Sequence, residues 1–217
     1  MKILVIDVGG THVKLLASGR RTPLKLPSGP DLTPRQMVAS VLEATAAWSY
    51  EVISIGYPGP VEDNKPIADP INLGKGWVKF DFRKAFKRPV RIMNDAAMQA
   101  LGSYEGGRML FMGLGTGLGT ALVRDGVVIP LEIAHLPYHK GNSYEHYLGN
   151  AGMKSEGYRK WAKHVETVSA LLLAALTSDY VVLGGGNARL LKALPPNARL
   201  GNNLNAFVGG YRLWKKR

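Results

Sequence analysis

Met109 to Val123 reads MLFMGLGTGLGTALV. An apolar run, Met109 to Met112, meets a glycine-threonine turn at Gly113 to Gly119, and a second apolar run, Thr120 to Val123, follows. Glycine tolerates positive φ and lets a ligand approach the backbone. Two strands joined by such a turn present successive N–H groups to an anion. Gly115, Thr116 and Gly117 are the candidate phosphate contacts, with the hydroxyls of Thr116 and Thr120 as further donors. An ordinary glycine-rich hairpin is the alternative.

The pattern occurs twice. Ile3 to Leu16 reads ILVIDVGGTHVKLL, an apolar strand, Gly9-Gly10-Thr11, and another apolar strand. Two such hairpins about a hundred residues apart suggest two similar halves clasping one phosphoryl donor. No G-x-x-x-x-G-K-[ST] occurs, so this is not a Walker A loop. The second turn leads into a strand rather than the helix that a dinucleotide fingerprint requires.

At 217 residues and 46% apolar content the chain can bury a core as one domain or two small lobes. No stretch of eighteen apolar residues suggests a membrane span. MKILVIDVGG reads as a first strand, because Asp7 interrupts the apolar run and no small-residue cleavage site follows. Together with the absence of targeting signals this favours the cytoplasm. Zero cysteines exclude disulfides, thiolate metal sites and a cysteine nucleophile. The net charge of +12 implies attraction to polyanions. Seven basic residues lie between Lys75 and Arg91 (Lys75, Lys79, Arg83, Lys84, Lys87, Arg88, Arg91), opposed only by Asp81. They form either a polyanion track or a solvated face. The spacing of Phe82 and Phe86 fits core packing better than base stacking.

The chain divides into lobes at 1–106 and 107–217, with Glu105-Gly106-Gly107 as the boundary. In the first, a third strand is expected near Thr22 to Leu26. Thr33-Pro34-Arg35-Gln36 has the form of a capping box with proline at the first helical position. Glu51 to Gly56 and Pro89 to Met93 read as strands, and Ala96 to about Tyr104 as a helix. In the second, Asp125-Gly126 signals a tight turn, so Val127 to Leu131 pairs back. Ser155 to Leu176 reads as the longest helix, burying Trp161, Val165, Val168, Leu172 and Ala175. Tyr180 to Leu183 is a strand, Asn187 to Leu194 a short helix, and Asn202 to Trp214 a terminal helix with Arg212, Lys215, Lys216 and Arg217.

Several residues can carry chemistry. Asp7 ends a strand just before Gly9-Gly10-Thr11, where a carboxylate can hold magnesium through water beside phosphates or merely cap its turn. Thr11 is a phosphate donor, and Lys14 either adds charge or faces solvent. Asn94-Asp95 stands at a strand-to-helix corner, a common place for site residues. Asp95 is either an N-cap or a base for a substrate hydroxyl during phosphoryl transfer. Glu132, His135, His139, Glu145 and His146 cluster without any zinc pattern, so no zinc is expected. Gly184-Gly185-Gly186-Asn187 either receives an adenine or ribose at a helix start or lets two elements pack closely.

Taken together, the motifs resemble the ROK (repressor, open reading frame, kinase) family of sugar kinases, nearest its polyphosphate glucokinase branch. Ile6 to Thr11 looks like the first phosphate motif, and Gly56-Tyr57-Pro58-Gly59-Pro60-Val61 the P-G-x-V sugar loop. Asn72-Leu73 with Trp77 is similar to N-L-x-x-W, and Asn94-Asp95-Ala96 to the N-D-A motif. Leu114 to Gly119 looks like the second phosphate motif and Val182 to Gly186 the adenosine motif. The resemblance implies an α/β, two-lobe actin-like ATPase (ribonuclease H-like) fold with mixed sheets flanked by helices. It implies that Asp95 deprotonates a hexose 6-hydroxyl, and that Gly59, Asn72, Asn94, Glu132, His135 and Glu145 contact the sugar. Magnesium, with Asp7, and polyphosphate or ATP would complete the reaction.

Departures accompany this. Ala134 replaces the glycine of E-x-G-H and is expected to crowd that corner. The zinc motif C-x-C-G-x-x-G-C is absent, as in the polyphosphate branch. The chain is short for the family, so surface elements are expected to be missing, and no helix-turn-helix favours a repressor. A strictly ATP-dependent hexose kinase and a non-catalytic sugar- or polyanion-binding protein are the alternatives. The expected partners are a hexose and polyphosphate or ATP, not a membrane and not nucleic acid, and a homodimer is compatible.

Overall fold

The computed structural model describes residues 1–202 and 204–215. The chain forms two compact units, Met1–Met98 with Ala206–Arg217, and Gln99–Asn205.

In the first unit β1 (Ile3–Val8), β2 (His12–Ala17) and β3 (Leu24–Pro27) run as an antiparallel meander. After α1 (Pro34–Ala44), strand β4 (Val52–Tyr57) pairs parallel to β1. A small hairpin of β5 (Val61–Glu62) and β6 (Lys65–Pro66) and a short α2 (Phe82–Phe86) follow. Strand β7 (Val90–Asn94) then closes the sheet order β3-β2-β1-β4-β7 and runs into α3 (Asp95–Ser103). Every residue of β1 is buried, as expected for a central strand covered on both faces. Leu4, Ile6 and Val8 face a core with Met37, Val41, Trp77, Phe82 and Phe86. Ile3 and Val5 face Met98, Ala206 and Phe207. Phe82 and Phe86 are thus core residues. The capping box at α1 forms, with Thr33 and Gln36 bonded reciprocally.

The second unit repeats the topology. Strands β8 (Arg108–Leu114), β9 (Leu118–Arg124) and β10 (Val127–Leu131) form an antiparallel meander. The Asp125-Gly126 turn has positive φ at both residues, 52° and 74°. A 3-10 turn at Ile133–His135 leads to a small hairpin, β11 (Pro137–His139) and β12 (Asn142–Ser143), and then to α4 (Tyr144–Leu148) and α5 (Asn150–Glu156). The long α6 (Tyr158–Ala175) precedes β13 (Tyr180–Gly184), which pairs parallel to β8, and β14 (Ala198–Leu200), which pairs parallel to β13, giving the order β10-β9-β8-β13-β14. The mixed α/β fold with two mixed sheets is the one expected.

Some expectations fail locally. The long helix begins at Tyr158 rather than Ser155, because Gly157 takes φ +78° and breaks the chain into α5 and α6. Its buried stripe is Trp161, Val165, Val168, Ser169 and Leu172, while Ala175 is exposed. The helix after Gly186 is a 3-10 turn that stops at Leu190. The terminal helix is Asn205–Arg212; Asn203, Lys216 and Arg217 lie outside the described residues. That helix packs with the first unit, although the linear order of motifs places it with the second. Gly210 sits so close to Val5 that a Cβ would overlap it, Ser54 donates to the Gly210 carbonyl at 2.6 Å, and Trp214 donates to Ser54 at 2.9 Å.

Candidate active site

In the first unit the parallel register brings the ends of three strands to one edge. Asp7 pairs with Gly56, and Tyr57 with Asn94. Ligands of open α/β sheets bind at such carboxyl ends. Gly56 is needed there, because a Cβ would overlap Met98 and lie 3.6 Å from Asp7 Oδ1. The Asp7 carboxylate is buried, and Lys14 Nζ, across the β1–β2 ladder, donates to its Oδ2 at 3.1 Å.

Asp95 and Asn94 exchange the roles that their order in the chain suggests. The residue that caps α3 is Asn94, whose Oδ1 accepts from Ala97 N at 3.0 Å. Its Nδ2 also donates to the Gly59 carbonyl at 3.1 Å, fixing the Pro58-Gly59-Pro60 loop. Asp95 accepts from Ala96 N through Oδ1 at 2.7 Å. Its other oxygen is not needed for capping. Burial, and then the negative charge of Asp7, push the Asp95 carboxyl up to about 7, against a pull downward from Ala96 N–H and Lys14.

The first glycine turn closes on itself. Gly9 N donates to the His12 carbonyl at 3.0 Å, while the N–H groups of Gly10 and Thr11 make no hydrogen bond among the described residues. Asn72 lies beside Gly10, with its Cβ 3.4 Å from where a Gly10 Cβ would stand. The loop carrying Asn72 is held by Asp69, whose Oδ1 accepts from Gly76 N at 3.1 Å and Trp77 N at 2.8 Å. Those N–H groups hold the Asp69 carboxyl below its usual range. Tyr57 OH donates to the Ala68 carbonyl at 2.7 Å.

The second hairpin has the same economy. Gly115 N donates to the Gly117 carbonyl at 3.1 Å, and the N–H groups of Thr116 and Gly117 make no hydrogen bond among the described residues. In both turns, then, the first amide closes the loop and two later amides stay open. The exposed Thr116 hydroxyl is available, but Thr120 is buried and donates to the Leu131 carbonyl at 2.8 Å, so it is not an anion donor. Asn150 N donates to the Gly115 and Thr116 carbonyls at 3.0 and 3.3 Å. Asn187 Nδ2 reaches the Gly115 carbonyl at 3.3 Å and Asn150 Oδ1 at 2.7 Å.

Beside this turn lies Glu145. A Cβ at Gly117 would overlap its carboxylate, so the glycine is required for the approach. His135 Nδ1 lies 3.9 Å from Glu145 Oε2, and the exposed Glu132 immediately precedes the same 3-10 turn. Ala134 is buried in the core of the second unit, where its methyl joins Ile133 and Tyr144. In the Gly184-Gly185-Gly186 run the packing role dominates at the first two positions. A Cβ at Gly184 would lie 2.5 Å from the Phe111 ring, and Gly185, at φ +80°, would drive one into the Leu114 carbonyl. Gly186 is exposed.

The sequence reading missed Asp69 and Asn150, which hold the loops rather than face a ligand, and it took Asn187, which also holds a loop, only as part of a nucleotide contact. An asparagine directly after a glycine, as at Asn150, is the signal that could have found one of them. Among the described residues no group of three or more His, Asp or Glu side chains is placed to hold a metal ion, and no helix is long and apolar enough to cross a membrane.

The ROK family model matches residues 3–130. A polyphosphate glucokinase of Mycobacterium tuberculosis is 27% identical over 205 residues, covering 85% of this chain and 77% of the relative. The inorganic polyphosphate/ATP-glucomannokinase of Arthrobacter sp. strain KM superposes with a TM-score of 0.81 at 20% identity, over 98% of this chain and 97% of that one. A ROK family glucokinase from Streptomyces griseus in complex with glucose and AMPPNP gives 0.74 at 16% identity, over 98% and 99%. The two structural likenesses establish the fold, and the family match, covering more than half of the chain and both halves' first motifs up to β10, establishes membership: this chain belongs to the ROK family.

Proposed function

We propose that this chain is a sugar kinase that moves a phosphoryl group from polyphosphate or ATP to the 6-hydroxyl of a hexose, with glucose as the first candidate. The observation that carries this is Asp95, a carboxylate left free of the capping duty and poised near neutrality. A base whose pKa lies near the working pH is the best placed to take a hydroxyl proton. In the reaction the sugar oxygen forms a bond to the terminal phosphorus, the bridging P–O bond breaks, and the hydroxyl proton passes to Asp95. Phosphoryl transfer asks for position and charge neutralisation more than for covalent chemistry. The open amides of Gly10 and Thr11, and of Thr116 and Gly117, supply donors for phosphate oxygens. Asn72, Glu132, His135 and Glu145 are the candidate acceptors and donors for sugar hydroxyls, and Asn94 holds the Gly59 loop of the first unit. Gly186 is the candidate for adenosine contact.

The donor set suits magnesium in the mode that uses one carboxylate, water and substrate phosphates. Asp7 is buried beside the first turn with Oδ2 engaged by Lys14 and Oδ1 left over, so it is the residue that would hold the ion through water. Bound magnesium would neutralise charge on the transferring phosphate. Both donors stay in the reading because the similar proteins include a polyphosphate glucokinase and a polyphosphate/ATP-glucomannokinase. The reading places the reaction in the cytoplasm and admits a homodimer, which sedimentation velocity would reveal. The test is a screen of hexoses against ATP and polyphosphate with detection of the phosphorylated sugar. No product from any pair would overturn it.

A further inference from the structure

The basic run that the transfer chemistry leaves unused surrounds α2 in the first unit, on two grooves. One, of about 490 Å³, runs between α1 and α2 and carries Arg35 and Lys84 over an apolar floor of Val38, Leu42 and Phe80. The other, of about 650 Å³, lies on the far side of α2 and carries Lys65, Lys79 and Arg83 beside Phe80 and Val90. Asp81 lines both and Asp63 one. Five cations therefore face two carboxylates, and Asp81 is already occupied as the N-cap of α2, accepting from Lys84 N at 3.0 Å. None of the five cations is in an ion pair among the described residues. All five are exposed.

Within the same unit a short run of contacts leads from the first phosphate turn to the groove between α1 and α2. Asn72 stands beside Gly10, and two residues on, Gly74 N donates to the Leu32 carbonyl at 3.1 Å. Arg35 follows three residues after Leu32, on the first turn of α1.

We infer that the two grooves flanking α2 form a docking track for the distal part of an inorganic polyphosphate chain. This rests on the reading of polyphosphate as a phosphoryl donor. A base-free polyanion is favoured over nucleic acid because the aromatic side chains interleaved with the cations are turned inward. Trp77, Phe82 and Phe86 are buried, and Phe80 packs edge-on against Phe82 at 4.9 Å. Single-stranded nucleic acid needs exposed rings on which bases stack.

The test is the triple variant Lys79→Ser, Arg83→Ser, Lys84→Ser, in which only exposed side chains change. With long-chain polyphosphate its kcat/KM should fall about tenfold and lose much of its salt dependence, since released counterions carry such binding. With ATP and with tripolyphosphate it should stay within about twofold of wild type. Equal losses on all three donors, or no loss on any, would overturn the track. If wild type transfers from ATP alone, the donor reading fails by itself. Binding of fluorescently labelled long-chain polyphosphate to wild type and variant then decides the track, with equal affinity overturning it. Displacement of that probe by a single-stranded oligonucleotide as readily as by unlabelled polyphosphate would also overturn the assignment.

Discussion

Asp95→Asn should separate stability from activity, and in opposite directions. The carboxyl rises from an ordinary 3.8 to about 7 because it is buried beside Asp7. A raised carboxylate binds its proton more tightly folded than unfolded, so it costs stability as pH climbs from about 4 to about 7. At pH 8 the ceiling on that cost is about 4 kcal/mol, at 1.36 kcal/mol per unit. The residue keeps some solvent access, and screening reduces this to about 2 kcal/mol. Asparagine keeps an acceptor for Ala96 N–H and carries no charge to bury. The variant should therefore melt higher than wild type at pH 8 by about 4 to 8 °C, taking 2–4 °C per kcal/mol for a chain of this size. At pH 5, where wild type is mostly protonated, the gap should shrink to about half or less. Turnover should meanwhile drop about 10²- to 10⁴-fold, the range for a lost general base. Thermal melts of both proteins at pH 5 and pH 8, at one ionic strength, together with a sugar phosphorylation assay, make the comparison. A pH-independent gap, or a variant less stable at pH 8, would refute the reasoning about burial.

In wild type, kcat/KM for the sugar should rise with pH through a midpoint of about 7 as Asp95 ionises; a flat profile between pH 5.5 and 8.5 would count against it. Lys14→Met removes a positive charge that holds this carboxyl down, so the midpoint should move upward, and an unchanged or lower midpoint would contradict the assignment. Gly117→Ala displaces the Glu145 carboxylate and should raise KM for the sugar at least fivefold or so, by the loss of one charged hydrogen bond, while an unaltered sugar KM would remove Glu145 from the site. Gly185→Ala forces a Cβ into the Leu114 carbonyl at φ +80° and should cost about 2 kcal/mol or more in urea unfolding; a neutral result would mean that the β13–β8 contact is loose. Asp69→Ala frees the Asn72 loop and should raise sugar KM more than it lowers kcat, which steady-state kinetics would show or deny.

The period-2 and glycine signals were readable because they are local. The strand–turn–strand unit at Ile3 and again at Met109 became the same five-stranded topology twice, and Thr33 to Gln36 formed its box. What local pattern could not show is which partner a residue meets. The Asn94-Asp95 pair is ambiguous in sequence, since both side chains can cap a helix; only the backbone path makes Asn94 the cap. Thr120 reads as a donor at a turn until β10 pairs with β9 and takes its hydroxyl. Gly157 broke the long helix through a positive φ that Ser155 to Leu176 gives no periodic sign of. The C-terminal helix joins the first unit through Ser54 and Val5, more than 150 residues away. The strand Ala198–Leu200 is short and largely exposed, and it exists because Val181 to Leu183 offers it an edge.

The most direct test of the central claim is phosphorus NMR of wild type and Asp95→Asn, each mixed with glucose, magnesium and either ATP or polyphosphate. A sugar kinase that uses Asp95 as its base yields a phosphomonoester resonance with wild type and almost none with the variant. Equal phosphomonoester from both proteins would contradict the role of Asp95, and its absence from both, with every hexose tried, would contradict the kinase itself.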